Sequence, residues 1–341
     1  MRRPRRSIRR ATLAPDHELP QLPEVVAPWP GRRVRWDGAV SYVRDTPPTR
    51  PGLPPARYVH GLGGSSTNWT DLATLLRGHV AGAAIDLPGA GYSDPAPHYT
   101  LAANAARVIS WIEHDRVGPV HLVGNSLGGT VAVKVAAERP DLVRTLTLIS
   151  PALPFLNPRR SLQSRALPLL AVPGAARVAR RFLANTTPEQ LARQVIEACF
   201  AHPERVPPQR FAEAVKEIEL RYRLEHYVPA YLQTMRSLVG NFLRAYLPGR
   251  GSLWRAAAAV QAPTLVIGGR RDRMVDPRVA PRAAREIPDS RLLILPEVGH
   301  LAQMEAPRLV ARAFLGLLNE VGTESAGYRH HADPRRSDMA D

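Results

Sequence analysis

Between residues 34 and 320, apolar and polar positions fall into short runs that switch between two periods. Residues 34–44 alternate around Asp37-Gly38, which reads as a hairpin with a tight turn. Short apolar runs at 57–59, 80–86, 120–123, 144–149, 264–267 and 291–295 read as buried strands. Between them lie helix-period stretches at 69–77, 101–114, 131–139, 277–287 and 307–320. Strand and helix in alternation predict an α/β fold: a mostly parallel sheet with helices on both faces.

The alternation is interrupted once. From residue 151 to about 260 the pattern holds only helical segments, at roughly 165–183, 188–200, 208–224 and 228–246, broken by prolines. This predicts an inserted helical cap. The resulting division is an arm at 1–33, the first part of the core at 34–150, the cap at 151–260, the second part of the core at 261–320, and a polar tail at 321–341. Pro20, Pro23, Pro28 and Pro30 oppose regular structure in the arm, so it is expected to be mobile.

The most informative junction is at residues 120–137. An apolar run ends in Gly124-Asn125-Ser126-Leu127-Gly128-Gly129, and a helix-forming run follows at once. A serine at the apex of a strand–turn–helix, flanked by glycines, is the G-x-S-x-G pattern of a nucleophile elbow. The sharp turn strains the serine backbone, and Gly124 and Gly128 remove side chains that would collide there.

A serine hydroxyl needs a general base, and the base needs an acid to orient it. His300 follows the 291–295 strand and the flexible Gly299. Asp272 follows the 264–267 strand and Gly268-Gly269, at the strand end where catalytic groups gather in such sheets. Asp276 is the competitor, but it precedes Pro277, where a carboxylate suits the start of a helix. His60 also lies at a strand end, ahead of the elbow, and is expected to shape its loop by hydrogen bonds. An oxyanion hole needs two N–H groups. One is assigned to Leu127, directly after the serine, and the other to Leu62 or the neighbouring Gly63.

Composition adds two things. The 341 residues carry a formal charge of +16, six arginines falling within the first ten residues. Residues 152–260 hold fifteen arginines, one lysine and seven glutamates. A coding bias toward arginine accounts for this without function; the functional reading is attraction to anionic lipid headgroups or acidic substrates. No nucleic-acid partner is expected, because no binding motif accompanies the charge. The single cysteine, Cys199, cannot form an internal disulfide or a cysteine metal cluster and reads as a small buried hydrophobe. No run of 18 apolar residues predicts a transmembrane helix, and no apolar segment follows the basic start as a signal peptide requires. The expected location is therefore the cytoplasm, with peripheral contact to anionic lipid through the arm and the cap.

Taken together, His60-Gly61-Leu62-Gly63-Gly64, Asp86-Leu87-Pro88-Gly89-Ala90-Gly91-Tyr92-Ser93, the elbow, Asp272 and Gly299-His300 resemble the α/β-hydrolase superfamily over about residues 34–320. The chain order Ser, Asp, His is that family's. The resemblance implies the α/β-hydrolase fold with a cap over the site, and a Ser126–Asp272–His300 triad that works without cofactor or metal. It implies a small-molecule substrate, with family members acting on esters, lactones, thioesters and carbon–carbon bonds. Ser126 stands where epoxide hydrolases and dehalogenases place an aspartate. Carbon–carbon hydrolases tend to carry a proline in the H-G-x-G loop and a tryptophan after the histidine, where this chain has Gly64 and Leu301. The expected reaction is therefore hydrolysis of a carboxylic ester with an apolar acyl group. Acyl transfer on the same triad, and a binding protein that kept the fold without catalysis, are the other readings.

Overall fold

A computed structural model describes residues 7–155, 174–247 and 252–331. The chain enters along a two-residue strand, β1 (Arg9–Arg10), and then makes the predicted hairpin, β2 (Gly31–Trp36) and β3 (Ala39–Thr46). Asp37 and Gly38 both take positive φ, 47° and 75°, the two left-handed residues that a tight hairpin turn needs. β4 (Pro55–Val59), α1 (Thr70–Leu76), β5 (Ala81–Ile85), α2 (Leu101–Asp115), β6 (Val120–Asn125), α3 (Leu127–Glu138) and β7 (Val143–Ile149) follow. The Thr100 hydroxyl caps α2 by accepting the Ala103 N–H at 3.1 Å.

After β7 come four cap helices among the described residues: α4 (Ala175–Ala184), α5 (Pro188–Cys199), α6 (Pro208–Arg223) and α7 (Tyr227–Arg244). α5 starts with a capping box between Thr187 and Gln190 and a proline in its first turn. Part of the expected 165–183 helix lies outside the described residues. The chain returns through α8 (Leu253–Ala259), β8 (Thr264–Gly269), α9 (Val279–Glu286), β9 (Ser290–Leu295), α10 (Ala302–Glu305) and α11 (Pro307–His331).

The strands form one sheet in the order β1-β9-β8-β7-β6-β4-β5-β3-β2. Pairing is parallel from β1 through β5 and antiparallel where β3 joins β5 and β2 joins β3. Alternate residues feed opposite cores. Leu122 packs with α2, α3, α8 and α9 on one face, and Val123 packs with α1 and α11 on the other. Burial on both faces explains why the central strands read as continuous apolar runs.

Three expectations change. The arm, expected to be mobile, is laid against the body from residue 9 onward. β1 pairs with β9, and the Ala14 N–H donates to Arg312 O at 3.0 Å. Asp16 accepts two hydrogen bonds of 2.8 Å from Arg308, and Ala14 and Leu19 are buried. Gly316 makes room for this path, since a Cβ there would lie 2.1 Å from Thr12 O. Prolines block regular structure within the arm; they do not prevent its remaining N–H and C=O groups from pairing with a neighbour. Next, α8 belongs to the body although it falls within 151–260, because Leu253, Trp254 and Ala257 are buried in the core beside α3. Finally, the last helix does not end at 320 but continues to His331; the rest of the tail lies outside the described residues.

Candidate active site

The elbow is built as its glycines require. Ser126 sits between β6 and α3 at φ 54°, ψ −117°, a strained backbone for an L residue. A Cβ on Gly124 would lie 2.3 Å from Gly128 O, and one on Gly128 would lie 2.1 Å from Val59 O. Any larger residue at either position would push β4, β6 and α3 apart. Ser126 is buried at the N-terminal end of α3, where the helix presents its unpaired N–H groups.

Asp272 and His300, 28 residues apart, are brought together by the parallel pairing of β8 with β9. His300 Nδ1 and Asp272 Oδ2 are 2.8 Å apart, and both side chains are almost fully buried. The other oxygen, Oδ1, accepts the N–H groups of Met274 and Val275 at 2.8 and 2.9 Å. The carboxylate is thereby aimed at the ring by its own loop. Asp276 neither meets His300 nor caps the next helix, whose N-cap is Arg278. Its Oδ1 accepts the Arg278 N–H at 3.0 Å just before α9, and Oδ2 pairs with the Arg278 guanidinium at 2.6 Å.

Among the described residues, His60 hydrogen-bonds only to backbone groups. Its Nε2 accepts the Leu87 N–H at 2.9 Å, which places the ring proton on Nδ1, 2.7 Å from Gly61 O. Burial holds this imidazole below its ordinary pKa. The loop it shapes lies against the serine, for a Cβ on Gly61 would come 3.1 Å from Ser126 Cβ. Leu62 and Leu127 line one small cleft together with Gly61 and Gly63.

Ser126 and His300 open into one cavity of about 130 Å³ under α5 and α6. One wall is apolar: Ala192, Ile196, Phe200, Met274 and Met304. The other is charged, because α6 turns Arg210, Glu213, Glu217 and Arg221 inward. These charges are paired where they stand, Arg210 with Asp71 and Glu213, and Arg221 with Glu217. That pairing is what allows them to line an enclosed wall. Among the described residues, no cluster of His, Cys, Asp or Glu is placed to hold a metal ion.

The family model of the alpha/beta hydrolase fold matches residues 58–307. The chain belongs to the α/β-hydrolase family. Over 271 residues it is 28% identical to the dihydrolipoyllysine-residue acetyltransferase component of the acetoin cleaving system of Pseudomonas putida, covering 79% of this chain and 64% of that one. It thus spans less than two thirds of that relative's length. It is 25% identical to human monoacylglycerol lipase ABHD6 over 278 residues, 80% of this chain and 77% of that one. Among solved structures, a thermophilic esterase from Thermogutta terrifontis superposes with a TM-score of 0.65 at 24% identity, covering 85% of this chain and 99% of that chain. No helix among the hydrolase's described residues is long and apolar enough to cross a membrane.

Two positioning groups of the hydrolase are missed by the sequence reading. The Asn125 side-chain N–H₂ donates to Ile149 O at 3.1 Å and to His300 O at 3.2 Å, tying the histidine loop to the elbow. Glu305, in α10, joins that loop to the cap. Its Oε2 accepts the Gly299 N–H at 2.6 Å, and Oε1 accepts the N–H groups of Ala201 and His202 at 2.9 and 3.1 Å. The end of α5 reinforces the joint, because the His300 N–H donates to Cys199 O at 2.6 Å. A Cβ on Gly299 would lie 2.4 Å from that same oxygen. A glutamate five residues after the histidine was the only signal available, and periodicity alone gives it no role. Burial pushes the Cys199 thiol up to about 12, which leaves it protonated and unreactive, a packing residue of the cap.

Proposed function

We propose that this protein is a serine hydrolase that cleaves a carboxylic ester of an apolar acyl group through an acyl-enzyme. Ser126 is the nucleophile. His300 takes its proton and returns it to the leaving alcohol, while Asp272 orients the ring and stabilises its protonated form. The N–H groups of Leu127 and Leu62 receive the developing oxyanion. Water, activated by His300, then clears the acyl group. The observation that carries this reading is that His300, paired with Asp272 at 2.8 Å, opens into the same cavity as a strained elbow serine. Similarity to a monoacylglycerol lipase supports an ester as substrate. Gly64 and Leu301 argue against the carbon–carbon hydrolases on the same fold.

The test is a p-nitrophenyl ester assay beside fluorophosphonate labelling. Ser126→Ala should lose both labelling and about 10⁴-fold or more of the turnover while keeping its melting temperature. Retention of the wild-type rate ends the assignment. Similarity to an acetyltransferase component favours acyl transfer as the second reading. Added alcohol would then divert the acyl group from acid to new ester.

We also propose peripheral contact with anionic lipid through the cap. α4 exposes Val178 and Phe182 among Arg177, Arg180 and Arg181, the mix of apolar and basic side chains that suits a headgroup layer. Flotation with vesicles that contain phosphatidylserine, but not with neutral ones, is expected. Equal recovery with both would refute it.

A further inference from the structure

A second cavity, of about 150 Å³, lies behind the first. It is lined by Pro28, Arg44, Tyr92, Lys216 and Leu220, among others. The two cavities share Thr67, Glu213, Glu217 and Arg221 as lining residues. These side chains are thus a partition with open space on either side.

Glu217 is the keystone of that partition. Its Oε1 accepts hydrogen bonds from the hydroxyls of Ser65 and Thr67, and its Oε2 lies 3.1 Å from Arg221 Nη2. Ser65 is itself fixed, buried at the start of the short helix that follows the His60 loop. A carboxylate held by three donors from two elements is a rigid wall, not a mobile side chain.

The first cavity alone has little room. At about 130 Å³ it is close to the roughly 150 Å³ space that benzene fills in an engineered apolar core. The group that must fit there is the acyl part, which stays bonded to Ser126 after the alcohol has left. We infer that Glu217 is the residue that sets acyl length, closing the acyl cavity against the space behind it and restricting the enzyme to short or compact acyl groups. This inference rests on the serine-hydrolase reading above and deepens it. Loss of the carboxyl would join the two cavities and admit a longer chain.

The experiment is a p-nitrophenyl ester series from acetyl to dodecanoyl, run on the full chain, with kcat/KM normalised to fluorophosphonate-labelled sites. The wild type should favour butanoyl over octanoyl by about tenfold or more. Glu217→Ala should raise the octanoyl-to-butanoyl ratio by about tenfold, while the isosteric Glu217→Gln keeps the wild-type ratio. Thr67→Ala, which removes one side of the partition, should move the ratio in the same direction by a smaller factor. If Glu217→Ala does not fold, Thr67→Ala decides: a shift supports the partition and an unchanged ratio overturns it. An unchanged ratio in a folded, labelled Glu217→Ala protein also overturns it. Failure of the underlying reading looks different, because Ser126→Ala would then retain turnover whatever the chain length.

Discussion

The loops after β4 and β9 each carry a buried histidine at the same end of the sheet, and the two rings are bonded in opposite ways. His60 uses both nitrogens on backbone groups, accepting from Leu87 N–H and donating to Gly61 O. His300 spends Nδ1 on a carboxylate, and no partner for Nε2 is found among the described residues. A ring held at both nitrogens by backbone cannot move a proton without breaking its loop. A ring held at one nitrogen by a buried carboxylate is oriented, and its second nitrogen is available to a hydroxyl. The difference lies in the partners and not in burial, since both side chains are equally hidden.

The sharpest way to break this contrast is to remove each ring. His300→Ala should lower kcat by about 10⁴-fold in a protein that still folds, with Tm lowered because Asp272 Oδ2 loses its partner, and an activity within tenfold of wild type would equate the two loops. Acid should act on the other histidines. His121, far from the cleft beside Thr145, is held down to about 4 by burial, and His60 is lowered by the same cause. Their unfolded pKa is near 6.5, so below that pH the unfolded chain takes up protons that the fold excludes. Stability is therefore full above about 6.5 and falls as the pH drops toward 4, by about 3 kcal/mol for His121 alone. Melting curves across that range should show a steeper fall for the wild type than for His121→Leu. Equal slopes would remove His121 as the cause.

His60→Leu leaves the Leu87 N–H and Gly61 C=O without their partner, at a cost of about 2 kcal/mol and roughly 5 °C in Tm. Turnover per labelled site should change far less than in His300→Ala; a comparable loss would give His60 a chemical part. The smallest effect is expected at Glu305. Glu305→Ala frees the His300 loop from the cap and should lower kcat per labelled site by about tenfold with KM little changed. Glu305→Gln keeps an acceptor for Ala201 and His202 and should recover part of that loss. If both variants change only the labelled fraction, the clip is structural alone.

Much of the site was legible because its chemistry constrains local sequence. A serine at a strained turn demands small neighbours, so Gly124, Gly128 and Gly129 announce the elbow. Strand ends marked by glycines pointed to Asp272 and His300. Asn125 and Glu305 were not legible, since a side chain that bonds backbone groups carries no pattern of its own. The packed arm was missed for a related reason: its prolines remove internal structure, while its anchors, Arg308, Arg312 and Gly316, stand some 300 residues away.

The chain alone determined the alternation of strands and helices in the core, the interruption by helical segments and the residue types at the turn, because these follow from periodicity and from steric demands between near neighbours. Only the tertiary structure decided which aspartate meets His300, that backbone groups hold both ring nitrogens of His60, and that α6 turns paired charges into the cavity. Those outcomes depend on the register of parallel strands and on hydrogen bonds between groups remote in sequence. No local rule carries that information until the sheet has closed around it.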